Sequence, residues 1–191
     1  MGIRTCKREL ALALVMVLTL SGCASTARQD YLLCQSKKQV PDVDIINTSH
    51  LAAEALIQKS LSELNSSEPL LAASFANIDN LEQTSSFGRI ISQQFATAFS
   101  DKGFTLVEML LRKDVYIKQQ GGEFLLSREV IALSEVHNAP VVIVGTYAVG
   151  KNSVFITAKI IDVRESTIIA AHDYQLPLGP DTKHLLKPDK Q

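Results

Sequence analysis

Val141-Val142-Ile143-Val144-Gly145-Thr146-Tyr147-Ala148-Val149 is a nearly continuous run of β-branched and other apolar residues, and its reading decides the fold. A strand left half in water alternates apolar and polar positions, whereas one buried on both faces does not. The run therefore predicts the central strand of a covered sheet. Gly150-Lys151-Asn152 turns the chain, and Val154 to Val163 returns with Phe155, Thr157 and Lys159 alternating against Val154, Ile156, Ala158 and Ile160. Arg164-Glu165-Ser166 makes a second turn, and Thr167 to Leu176 forms the last strand. The prolines Pro177, Pro180 and Pro188 that follow read as a loose tail over 179–191.

Upstream of the central run the pattern changes to alternating helices and strands. From Thr48, residues Ala53, Leu56, Ile57, Leu61 and Leu64 share one helical face, with Thr48 or Ser49 as N-cap. Leu70 to Ala76 is a short buried strand. A helix follows, with Ser85 or Ser86 as cap, the stripe Phe87, Ile90, Ile91, Phe95, Ala98 and Phe99, and Gly103 as left-handed terminator. Phe104 to Met109 is the next strand, which makes 69–109 a βαβ unit with a right-handed crossover. Residues 110–126 lack a regular pattern. Gly121-Gly122-Glu123-Phe124 resembles the signature loop of diguanylate cyclases, but a further acidic residue and the length of that catalytic domain are missing, so it reads as a turn between two elements. Ser127 caps a helix that Asn138-Ala139-Pro140 stops.

The element order α-β-α-β-α-β-β-β predicts a single α/β domain with a mixed five-stranded sheet in the spatial order 2-1-3-4-5, strands counted along the chain, and helices packed on it. A chain of 191 residues with 46% hydrophobic content supports one such core plus appendages.

Those appendages lie at the N-terminus. Arg4, Lys7 and Arg8 precede an apolar run from Leu10 to Leu20, about half the roughly 20 residues that a membrane-spanning helix needs. Leu20-Ser21-Gly22-Cys23 then resembles a bacterial lipobox, the recognition site of lipoprotein signal peptidase. This implies a signal peptide over 1–22, lipidation of Cys23, a tether over 23–47 and a domain over 48–178. Ala24 resembles the residue of outer-membrane-sorted lipoproteins, which implies attachment to the outer membrane at its periplasmic side. Cys6 leaves with the leader and Cys23 carries the lipid, so Cys34 is the one thiol left and no internal disulfide is expected.

Without the leader the chain carries 16 basic and 19 acidic side chains, which together with the lack of a dense Lys/Arg cluster excludes a nucleic-acid partner. His50, His137, His172 and His184 are too scattered for a metal site. His137 suits the C-terminal end of a helix dipole, and His172-Asp173 reads as strand surface rather than a dyad. Nucleophile motifs and a glycine-rich phosphate loop are absent from the sequence, so no catalytic or cofactor residue is assigned and the chain is read as non-enzymatic. Asn77, Asp79, Asn80 and Glu82 follow the first strand, where α/β sheets bind ligands, but they read rather as a solvated cap for the following helix, and no binding residue is assigned among them.

Ser85-Ser86-Phe87-Gly88-Arg89, Ala139-Pro140-Val141 through Tyr147, and Ile160-Ile161-Asp162-Val163-Arg164 together resemble the FlgO family of flagellar outer-membrane lipoproteins. Similar patterns occur in TolB N-terminal and CsgG-like envelope domains. The FlgO resemblance implies a non-catalytic protein without cofactor that supports assembly or stability of the flagellum at the outer membrane. It implies flagellar or other envelope proteins as partners, with homo-oligomers compatible. The CsgG-like or TolB-like pattern implies an envelope scaffold or secretion-associated lipoprotein instead.

Overall fold

The computed structural model describes residues 40–81, 85–109, 116–118, 124–126 and 128–187. Cys23, Cys34, Glu82, Ser127 and the Gly121-Gly122 pair lie outside them.

The β-branched run is β6 (Val141–Val149), the third strand in the path of a mixed sheet. It pairs in parallel with β1 (Leu70–Ala73) and antiparallel with β7 (Ser153–Asp162). β1 pairs in parallel with β3 (Leu106–Met109) at one edge, and β7 pairs antiparallel with β8 (Thr167–Pro177) at the other. The path β3-β1-β6-β7-β8 is the spatial order expected from the sequence. Two features were not expected. The first strand is broken, so that Ala76–Asn77 forms a separate short strand, β2, on β6. Within the irregular region, β4 (Tyr116–Lys118) and β5 (Phe124–Leu126) form an antiparallel pair.

One face of the sheet is covered by α1 (Ile45–Ser60) and α2 (Ser86–Asp101). α2 follows its sequence pattern closely. Ser85 caps it by accepting from the Gly88 amide, and Phe87, Ile91, Phe95, Ala98 and Phe99 are buried beneath it. Each such fully buried large side chain contributes about 1.5–3 kcal/mol. Gly103 ends the turn with a left-handed φ of 89°. α1 begins three residues earlier than its pattern suggested, because the cap is the Asp44 carboxylate accepting from the Asn47 amide, rather than Thr48 or Ser49. Ser49 is buried inside the helix.

The other face carries α3 (Arg128–Val136), whose Val130 and Leu133 pack with Leu71, Ala73, Val142 and Val144. Asn138, at φ 50°, reverses the chain after α3, and the Ser134 hydroxyl donates to the Ala139 carbonyl at 2.6 Å. Beyond β8 the chain is not loose throughout: Pro180–Leu185 forms a short helix, α4. Its first amides, Asp181 and Thr182, donate to the Asp42 carboxylate, and Thr182 is buried. The sequence pattern missed this because the anchor comes from 139 positions away in the chain.

Gly88 sits where a side chain has no room. A β-carbon there would collide with the Phe75 carbonyl and crowd the Tyr147 ring. Gly88→Ala is expected to lose about 3 kcal/mol or more, read as a lower urea midpoint with an unchanged slope.

Candidate functional site

The site follows from strand parity. On β7, Val154, Ile156, Ala158 and Ile160 point into the α1/α2 core, so Phe155, Thr157, Lys159 and Ile161 must point to the opposite face. On β8 the register shifts at Ile160/Ile161, which leaves Ile169 as an extra residue between the Ala170 and Ile168 pairings. Ile169 and Ala170 both turn to the core side, and Ile168 joins Ile161 on the open side.

On that open side, α3 covers β1 and β6 but not β7 and β8. The result is a groove of about 440 Å³ lined by Ile78, Leu126, Ile131, Ile161, Val163 and Ile168, with Thr146, Thr157 and Lys159 on its floor. Ile168 is 56% exposed and Phe155, further along β7, is 53% exposed. Lys159 has no hydrogen-bond or ion-pair partner among the described residues; it is half-buried in a mainly apolar surround. Such a surface can hold apolar matter and complement one negative charge. Among the described residues, no group of three or more His, Cys, Asp or Glu side chains is placed to hold a metal ion.

The residues weighed in the sequence fall elsewhere. In the loop after β2, the Asn77 carboxamide accepts from the Asp79 amide, the Asn80 amide donates to the Asn77 carbonyl, and Ile78 donates to the Tyr147 carbonyl. The Asn77 groups are therefore engaged in the turn, and the loop's contribution to the groove is the apolar Ile78. His172 and Asp173, adjacent on a strand, occupy opposite faces and form no dyad. His172 stacks beside Tyr174 with ring centroids 6.4 Å apart and its Nδ1 lies 3.5 Å from the Lys59 ammonium. Burial, followed by the Lys59 charge, holds its pKa below 6.5, with Asp173 acting weakly in the other direction. His137 is exposed at the end of α3.

The groove residues were missed as a site because each looks ordinary alone. The alternation on β7 was visible, but which face lacks a helix is decided by the shortness of α3, nine residues long. Phe155 at an outward position was the available signal.

The FlgO family model, described as FlgO protein, matches residues 50–181, and the chain belongs to this family. No curated protein matches the chain by sequence. Among solved structures it is similar to the LpoB C-terminal domain from Salmonella enterica, with a TM-score of 0.50 and 15% identity over 70% of this chain and 98% of that one. The LpoB C-terminal domain from Escherichia coli gives 0.46 and 16% over 69% and 98%. A PelC dodecamer from Paraburkholderia phytofirmans gives 0.41 and 14% over 60% and 74%. At these identities the likeness is one of fold. Among the described residues no helix is long and apolar enough to cross a membrane.

The facing of β7 and β8 is open to a direct check. Ile168→Asp is expected to change stability by no more than about 0.5 kcal/mol, whereas Ile160→Asp places an unpaired charge in the core and prevents folding. Circular dichroism with urea titration separates the two. For His172, a depressed folded pKa means that the unfolded chain takes up the proton first as pH falls below 6.5. Stability is therefore full above that value and declines towards the depressed folded pKa. His172→Gln should flatten this part of the pH–stability curve, below about pH 7.

Proposed function

We propose that this protein is a non-catalytic lipoprotein of the outer membrane that supports assembly or stability of the flagellum, using the open β7–β8 face to dock an envelope protein. The observation that carries the reading is the FlgO match over most of the folded chain. The sequence at Leu20-Ser21-Gly22-Cys23 supports the anchor, with lipid on Cys23 holding the chain at the periplasmic side. An acyl chain gains about 0.8 kcal/mol per buried methylene, so two or more chains give a stable hold.

The groove supports docking rather than turnover. Among the described residues its lining is apolar and hydroxylic with one cation and no acid or imidazole, and Asp173, diagonal to Lys159 on the same face, forms no ion pair with it. Its aliphatic rim offers area for a protein surface.

Deletion of the gene is expected to impair swimming while growth stays normal, and a chain carrying Ile168→Asp should fail to restore it although it accumulates at the membrane. Cys23→Ala should shift the protein from the outer-membrane fraction to soluble periplasm and also impair swimming. Normal swimming in the deletion strain would remove the flagellar reading, and unchanged fractionation of the Cys23 variant would remove the anchor.

A further inference from the structure

Among the described residues, the groove and the outer side of α1 are two surfaces left without a partner. α1 buries Ala52, Ala53, Leu56 and Ile57, which fixes Leu51, Glu54, Ala55 and Gln58 on its outer side, with Leu61 continuing past the last turn. Leu51 is 58% exposed and Leu61 53% exposed, high values for leucines. Between them stands Glu54, which pairs with Lys102 at 2.7 Å on the surface. Burial of the neighbouring groups is too slight to hold that pair tightly, since both side chains are 45% exposed.

The open face has the complementary character. Ile161, Ile168 and Phe155 supply apolar area, and Lys159 stands among them without a partner among the described residues. Asp173, on the same face, is opposite Thr157, one diagonal step from Lys159, and no ion pair joins them. The uncovered area is two strands wide. A helix about 10 Å wide covers roughly two strands at about 4.8 Å spacing, and α3 already covers two of the strands on this side. An added strand at the β8 edge is a poorer fit, because the Lys59 ammonium donates to the Ala171 carbonyl there at 2.8 Å.

We infer that the open β7–β8 face receives the outer side of α1 from a second copy of this chain, with Glu54 of that copy on Lys159 and its leucines on Ile161, Ile168 and Phe155. This rests on the reading of the face as a docking surface and names its occupant. Glu54 can accept from Lys102 and Lys159 together, since a carboxylate has acceptor sites for both. α1 and the open face lie on opposite faces of the sheet, so the contact is head to tail. Each contact leaves the α1 side of one copy and the open face of the other free, and the assembly grows until a ring closes.

The test uses two differently tagged full-length copies in a Cys34→Ser background, one with Glu54→Cys and the other with Lys159→Cys, expressed together at the membrane. A disulfide-linked species bearing both tags is expected, with none from either variant alone, and a chain carrying both substitutions should give a ladder of multimers. Absence of the mixed species, or linkage between two copies of the same variant, overturns the inference. In detergent, Lys159→Glu should weaken self-association about ten-fold, and a copy with Glu54→Lys should recover it. Wild-type chains that stay monomeric at all concentrations, while Ile168→Asp still abolishes swimming, would remove the second copy as occupant and leave the docking face in place. Wild-type association that Lys159→Glu weakens, together with normal swimming of the deletion strain, would remove the flagellar reading and leave the inference standing.

Discussion

The structure depends on the place made for Phe75. Between the pairs Ala72–Ile143 and Ala76–Thr146, three residues on the β1–β2 segment face two on β6, so one residue is extra. A break in a buried strand leaves backbone groups to satisfy. Here the Ser92 hydroxyl donates to the Ala73 carbonyl at 2.9 Å, and the Phe75 amide donates to the Gly88 carbonyl at 3.2 Å. The Phe75 ring lies over Gly145, where any β-carbon would strike it, and tilts against Phe95 at 5.2 Å. Two glycines thus let one phenylalanine lock α2 onto the centre of the sheet. Ser85 completes the arrangement by capping α2 and meeting the Tyr147 hydroxyl at 2.7 Å.

Much of this was legible because it rests on local periodicity. The β6 run, the alternation on β7 and the stripe on α2 each encode a face, and βαβ handedness turns those faces into a strand order. Gly145 inside a β-branched run was a signal of close backbone approach, but the sequence does not say which residue approaches. The start of α1 and the helix α4 depend on Asp44 and on Asp42, the latter reaching across the whole domain. Contacts of that separation have no periodic trace. The groove was illegible for a related reason: its definition is the missing cover over β7 and β8, and absence of packing is a property of the assembled layers.

The two faces of the sheet are therefore under different constraints. On the α1/α2 side, Phe87 sits edge-on to Tyr147 at 5.3 Å and Phe99 packs on Phe104 at 5.7 Å, so volume is closely specified. On the other side, α3 fixes only the parallel half, where strands buried on both faces require cover. The antiparallel meander can face water on one side, and it does so with Thr157 and Lys159 mixed among isoleucines. An open face of that composition stays soluble alone and still rewards a partner that removes it from water.

The free edge explains why recognition would use this face rather than main-chain pairing. β8 is eleven residues long and terminal in the sheet, which ordinarily invites another strand. Three features oppose that. Lys59 occupies the Ala171 carbonyl, the bulge at Ile169 interrupts the row of parallel-spaced groups, and the exposed Asp173 and Gln175 carry polar side chains along the strand. The turn before it is equally closed, since the Asp162 carboxylate accepts the Arg164 and Glu165 amides and the Arg164 guanidinium; these bonds outweigh burial and hold its pKa below the usual value. With the β8 edge occupied and the turn satisfied, side-chain contact on the open face is the means of association left at this end of the sheet.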